Sequence, residues 1–372
     1  MQWRITVGQS RGRGRNAFAH TVARMTEPSV KSARRPRARK TSPQSGTAAI
    51  VFNPNKIDVD LVRAAISAAE SSAGWGKTLW LETSEEDPGE QITRKAIEQK
   101  VDVVIAAGGD GTVRAVADAL RGTGIPLALL PSGTGNLLAR NLAVVLDDVT
   151  ASVESAFTGQ DRKIDVGVIE IERPGGDREE HAFLVMAGAG LDAKMVANTN
   201  DTLKKHVGWL AYVHAISKSL RDKKELHLRY QFDEGATRSI RAHTMLVGNC
   251  GTLPANMMLL PDAVLDDGLL DIVFLRPTGF LGWIRIWVRV AWENGIIRRT
   301  RMGRRLMGDT KEIRALQYDT AKSVTARFSR AEEIELDGDG FGKAVAFKTR
   351  IDPLALIVRN AASDTTESGE KA

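Results

Sequence analysis

The chain has 372 residues, 42% hydrophobic and 26% charged, which suits two ordinary globular domains and excludes disorder throughout. One cysteine, Cys250, and six scattered histidines exclude an internal disulfide, a zinc site and a thiol catalyst, as in a cytoplasmic protein. The formal charge of +6 is concentrated at the start, because residues 1–46 hold 11 of the 52 Lys and Arg and only one acid, Glu27.

That opening segment, 1–46, reads as a disordered basic tail. It fits a solvated tail, and also an arm for nucleic acid or for anionic lipid head groups; no specific nucleic-acid partner is expected. Order starts at 47. Ala48 to Phe52 is an apolar run closed by Asn53-Pro54-Asn55, as in a buried strand followed by a turn. A helix is predicted over Asp60 to Ala73, a strand over Leu79 to Leu81, a helix over Gln91 to Gln99 and a strand over Val101 to Ala107. A helix over Val113 to Arg121 and a strand over Pro126 to Leu130 follow. Strands without a polar face alternating with helices predict an open α/β domain, 47–163, built on a parallel sheet. From Ile164 strand-like runs dominate: His181 to Ala187, Glu225 to Phe232, His243 to Val247, Leu269 to Phe274, Ser323 to Phe328, Ala331 to Leu336 and Ala344 to Ile351. They predict a mainly antiparallel β domain over 164–360, with a polar tail at 361–372. No stretch approaches the ~20 apolar residues that cross a bilayer.

Gly108-Gly109-Asp110-Gly111-Thr112 stands directly between a strand and a helix. Ligands of open α/β sheets sit beyond the carboxyl ends of strands, where a helix N-terminus offers free N–H groups to phosphate. Glycines let the backbone approach phosphate oxygens, and Asp110 beside phosphate implies an intervening Mg²⁺. A plain glycine turn with Asp110 as a capping acid is the competing reading. Against it, the next strand runs into Pro131-Ser132-Gly133-Thr134-Gly135-Asn136 and a second helix from Leu137, so two glycine loops would line one crevice.

The blocks "VDVVIAAGGDGTVRAVADAL", "IPLALLPSGTGNLLARNL", "MAGAGLDAKMVANTNDTLKKHVGWLAYV" and "LLPDAVLDDGLLDIV" resemble the diacylglycerol kinase catalytic family, from about Ala48 to Val358. The resemblance implies an ATP-dependent lipid kinase with its active site between the two domains, a lipid substrate at the membrane surface, and ATP and Mg²⁺ as cofactors. It implies nucleotide contacts from Asn53, Thr83, Gly108, Gly109, Asp110, Gly111, Thr112, Ser132, Gly133, Thr134 and Asn136, with Lys204 near the phosphates. Leu336-Asp337-Gly338-Asp339-Gly340 resembles the family's Asp-Gly-Glu motif, so Asp339, one methylene shorter than the family's Glu, would take the proton from the lipid hydroxyl; a hairpin turn also accounts for this segment. Asp266-Asp267-Gly268 resembles a structural Mg²⁺ loop in which Asp267 would bind the ion, or else a plain turn.

The chain departs from the family at Asn53-Pro54-Asn55-Lys56-Ile57, where a Ser-Gly pair is usual and Lys56 becomes a phosphate candidate, and at Leu137, where the family often has Asp. Residues 279–305 place Trp283, Trp287 and Trp292 among arginines, as in a core helix or one lying on a bilayer. The protein is thus expected in the cytoplasm, peripherally associated with the inner face of the membrane, and a homodimer is left open. The rival functions are an NAD kinase, which shares the first glycine loop, and a homologue that binds nucleotide or lipid without catalysis.

Overall fold

The computed structural model describes residues 46–190, 225–253, 257–276 and 316–361. Residues 1–45 and 362–372 of the two tails, Lys204 and the tryptophan-bearing segment 279–305 lie outside them. The first half alternates as the sequence predicts: β1 (Ala48–Phe52), α1 (Val59–Ala73), β2 (Leu79–Glu82), α2 (Glu90–Glu98), β3 (Val103–Gly108), α3 (Asp110–Leu120), β4 (Leu127–Pro131), α4 (Leu137–Asn141) and α5 (Val149–Thr158). The strands are parallel in the order β4-β3-β1-β2. Every residue of β1 and β3 is buried, because helices cover both faces. Ile50, Val103 and Ile105 pack with Val62, Ile66, Val153 and Phe157 of α1 and α5. Val51, Val104 and Ala106 pack on the other side with Ala96, Val116 and Leu120 of α2 and α3.

Helix α5 was not predicted. Its one sequence signal is Asp148, whose side chain accepts the Ala151 N–H at 2.9 Å as an N-cap. Helix α3 begins three residues earlier than the apolar pattern indicates. Gly109 is its extended N-cap, so Asp110, Gly111 and Thr112 form the first helical turn rather than a loop before it.

The second half consists of β5 (Gln160–Glu172), β6 (Arg178–Phe183), β7 (Met186–Ala189), β8 (Leu226–Phe232), β9 (Arg238–Ala242), β10 (Thr244–Gly248), β11 (Thr252–Leu253), β12 (Met257–Met258), β13 (Leu270–Leu275), β14 (Leu316–Ala321), β15 (Ser323–Leu336) and β16 (Asp339–Asn360). These strands pair antiparallel with one another, around a core that includes Phe183, Phe274, Ile272 and Leu336. The two runs expected at Ser323 to Phe328 and Ala331 to Leu336 form one strand, β15, because a register shift between Arg327 and Glu332 absorbs the polar break between them. Residue 164 lies inside β5. β16 also extends well beyond its expected apolar run, and its last residues pair parallel with β4, Val358 opposite Leu127. The sheet of the α/β half is therefore continuous with that of the β half. Among the described residues no helix is long and apolar enough to cross a membrane.

Candidate active site

Strands β3 and β4 are neighbours, so the loops at their carboxyl ends meet. The Ser132 N–H donates to the Gly108 carbonyl at 3.2 Å. A Cβ on Gly133 would lie 2.8 Å from the Gly109 Cα, backbone against backbone, so this contact requires glycine. Inside the second loop the Asn136 side-chain oxygen accepts the Gly133 N–H at 3.0 Å, and Asn136 itself adopts φ +46°. The Ser132 hydroxyl oxygen is buried without a hydrogen-bond partner, and Thr134 is exposed beside it.

Asp110 ties the two loops together. One carboxylate oxygen accepts the Leu137 N–H at 2.5 Å, so it caps the next helix rather than its own. The other faces Gly135, where a Cβ would collide with it. Burial pushes the Asp110 carboxyl up to about 6; the Leu137 and Asn136 N–H groups pull against this, while the charges of Asp337 and Asp339 add to it.

Asp339 arrives from the β half, at the turn between β15 and β16. It lies over the first turn of α3, its carboxylate 2.8 Å from where a Gly111 Cβ would be. The turn is fixed from below by Asp337, only 4% exposed, whose carboxylate accepts the N–H groups of Leu184, Val185 and Met186 at 2.8–3.0 Å. The Asp337 N–H returns to the Met186 carbonyl at 2.9 Å. Desolvation raises the Asp337 carboxyl, against the pull of these N–H groups and of the Arg114 charge. Of the two motif acids, Asp337 is thus the mount and Asp339 the exposed group.

Sequence reasoning missed Arg114. Its guanidinium is 3.3 Å from the Asp339 carboxylate and stacks 4.4 Å above the Phe341 ring, while its Nε is buried without a partner. The available signal was helical spacing, since Arg114 lies one turn beyond Asp110 on α3 and therefore on the same face.

The remaining candidates are engaged in local contacts. Asn53, after β1, donates its N–H to the Ala107 carbonyl at 3.1 Å and spends its side-chain oxygen on the Asn55 N–H at 3.0 Å. Lys56 is exposed on that turn. Thr83 is buried at the end of β2, its hydroxyl donating to the Phe52 carbonyl at 3.3 Å. Thr112 is buried against Gly108. Asp267 accepts the Leu269 N–H at 2.9 Å in a turn of its own; burial, with the charges of Asp267 and Asp262, raises nearby Asp271 to about 6. Among the described residues no three acidic, His or Cys side chains group as a metal cage. Cys250 is buried and donates to the Leu184 carbonyl; desolvation raises its thiol well above the usual range, with the Asp337 charge adding, so it is no nucleophile.

An α/β sheet thus carries two glycine loops beyond adjacent strands, met by a carboxylate from a β-rich half. Residues 48–169 match the diacylglycerol kinase catalytic domain, and residues 185–358 match the YegS C-terminal NAD kinase beta sandwich-like domain. A Pseudomonas fluorescens protein named "probable lipid kinase YegS-like" is 33% identical over 61% of this chain and 70% of its own length. A Bacillus subtilis diacylglycerol kinase is 25% identical over 66% of this chain and 74% of its own length. A crystal structure of a diacylglycerol kinase from Bacillus anthracis shares the fold, with TM-score 0.59 and 18% identity, over 86% of this chain and 98% of that one. The chain belongs to the diacylglycerol kinase catalytic-domain family.

Proposed function

We propose that this protein is an ATP-dependent lipid kinase, transferring the γ-phosphoryl group of ATP to the hydroxyl of diacylglycerol or a related lipid alcohol at the cytoplasmic face of a membrane. The observation that carries the reading is the placement of Asp339 over Gly111. A carboxylate from the β half stands at the N-terminus of the helix that opens the glycine loops.

The site fits a nucleotide. Gly109 and Gly133 let the two loops close on each other and Gly111 leaves room for the Asp339 carboxylate, the N–H groups of the first α3 turn suit phosphate oxygens, and the Ser132 hydroxyl has no other partner. Asp110 would hold Mg²⁺, which when bound would draw charge from the phosphate oxygens. Asp339 takes the proton of the acceptor hydroxyl as its oxygen forms the bond to the γ-phosphorus and ADP leaves. Arg114 holds Asp339 in place and keeps a positive charge within reach of the phosphates. Thr134 and Lys56 are exposed and are further candidates for phosphate contacts in this reading.

The test is transfer of labelled γ-phosphate from ATP and Mg²⁺ to a panel of lipid alcohols in mixed micelles, with NAD as a control acceptor. Label on a lipid is the expected result and names the substrate; label on NAD alone, or on neither, overturns the reading.

A further inference from the structure

The described residues include 16 arginines, and 13 of their side chains meet a carboxylate, a carbonyl or an aromatic ring. The three that meet none are Arg229, Arg238 and Arg241, all exposed and all on the β8–β9 hairpin. The register gathers more positive charge around Arg229 and Arg241, while Arg238, opposite Tyr230, stands at the start of β9 on the edge of the same hairpin. Arg327 of β15 stands directly opposite Arg229, and Arg241 opposite His227. Like charges placed across from each other on a sheet are destabilising, and only Arg327 has a close carboxylate, Glu172 at 2.9 Å; Glu225 is 4.0 Å from His227. These residues and Arg276 line a groove of about 1020 Å³. Its other lining includes Leu228, Tyr230, Ile240 and Phe328, whose side chains are buried in the core beneath the basic face.

We propose that the β8–β9 hairpin, with Arg327 and Arg276 beside it, is the surface by which this protein docks on an anionic membrane. Uncompensated guanidinium groups on an exposed sheet face need anions, and the anionic head groups of a bilayer, the layer that holds a lipid acceptor, supply them. The inference rests on the reading that the acceptor is a lipid. It also explains why a basic face lies on the strand that mounts the base, since β15 carries Arg327 in this surface and leads into the turn that holds Asp339. Docking there fixes that turn relative to the lipid layer.

The experiment is flotation of the full chain with vesicles of phosphatidylcholine alone and of phosphatidylcholine with ~30% phosphatidylglycerol, at about 0.1 M salt where surface charges are still felt. The wild type should float with the anionic vesicles only. The combined R229Q, R238Q and R241Q variant, which touches exposed positions alone, should bind them about a hundredfold more weakly, at roughly fivefold per arginine. A K77Q, K95Q and K100Q control, which loses the same charge from the α/β half, should change by less than about threefold. Equal losses in the two variants, or a loss under about threefold in the arginine variant, overturn the proposal. So does a wild type that ignores vesicles but binds a labelled RNA through the three arginines. Turnover of a short-chain, water-soluble diacylglycerol separates this inference from the reading beneath it. The arginine variant should phosphorylate that acceptor at the wild-type rate, and a wild type that binds vesicles yet labels no lipid refutes the kinase reading while leaving the docking surface standing.

Discussion

The Asp110→Asn substitution keeps an oxygen for the Leu137 N–H and discards the charge, which separates the two duties of this side chain. In the folded protein the Asp110 carboxyl titrates at about 6, against 3.8 for the free group, so between those values the folded state holds a proton that the unfolded chain has released. The stabilisation from that proton is complete below about pH 4 and lost as pH rises through about 6. The gap corresponds to about 3 kcal/mol at most, or about 1–3 kcal/mol once partial solvent contact is allowed for. Without nucleotide, the variant should therefore match the wild type near pH 4 and exceed it by about 1–3 kcal/mol near pH 7.5, as measured by urea unfolding at each pH. Comparison of the two proteins cancels Asp271, which titrates in the same window. Turnover with ATP and Mg²⁺ should fall by about a hundredfold or more. Equal stability near pH 7.5 refutes the buried charge, and turnover within tenfold of wild type refutes the part given to Asp110 in transfer.

Other substitutions probe the remaining parts of the site. Gly133→Ala pushes a methyl group into the Gly109 backbone, so the KM for ATP should rise by about tenfold and stability fall by about 1–3 kcal/mol; an unchanged KM argues against paired loops as the phosphate cradle. Asp339→Asn should lower kcat by about 10²–10⁴ while the unfolding midpoint stays within experimental error, since the side chain is half exposed. Arg114→Ala should lower kcat by about tenfold with the KM for ATP changed less, and Arg114→Lys should recover part of the loss; a change in KM alone places Arg114 on the nucleotide instead. Asp337→Ala strands three buried N–H groups and should cost about 3–5 kcal/mol in denaturant unfolding.

The α/β half was legible because its signals are local. Apolar runs such as Ala48 to Phe52 have no polar face, and Gly108 to Thr112 follows its strand without a gap, so element and motif could be read within a dozen residues. The ends of elements were less legible. The start of α3 depends on the backbone conformation of Gly109, which apolar periodicity does not register, and the unity of β15 depends on a partner strand that can accommodate a register shift. Within the site, the glycine loops and the acid of the Asp-Gly-Asp segment were readable as motifs. The work done by Asp337 and Arg114 was not, since it rests on contacts with Val185 and Asp339, far away in the chain. Asn53 shows the reverse case: a residue prominent in the sequence whose side chain is engaged in closing its own turn.

The parallel pairing of β16 with β4 bears on how the chain is made. The α/β half leaves the ribosome first, yet one edge of its sheet stays open until Val358 and Arg359 arrive to cover Leu127 and Ala128. Contacts so distant in sequence close slowly, and an uncovered apolar strand edge invites pairing with other chains. A message truncated shortly before codon 355 would yield a product that contains both glycine loops and Asp339 but aggregates through β4. Fusions or deletions at this end should therefore be scored for solubility before catalysis.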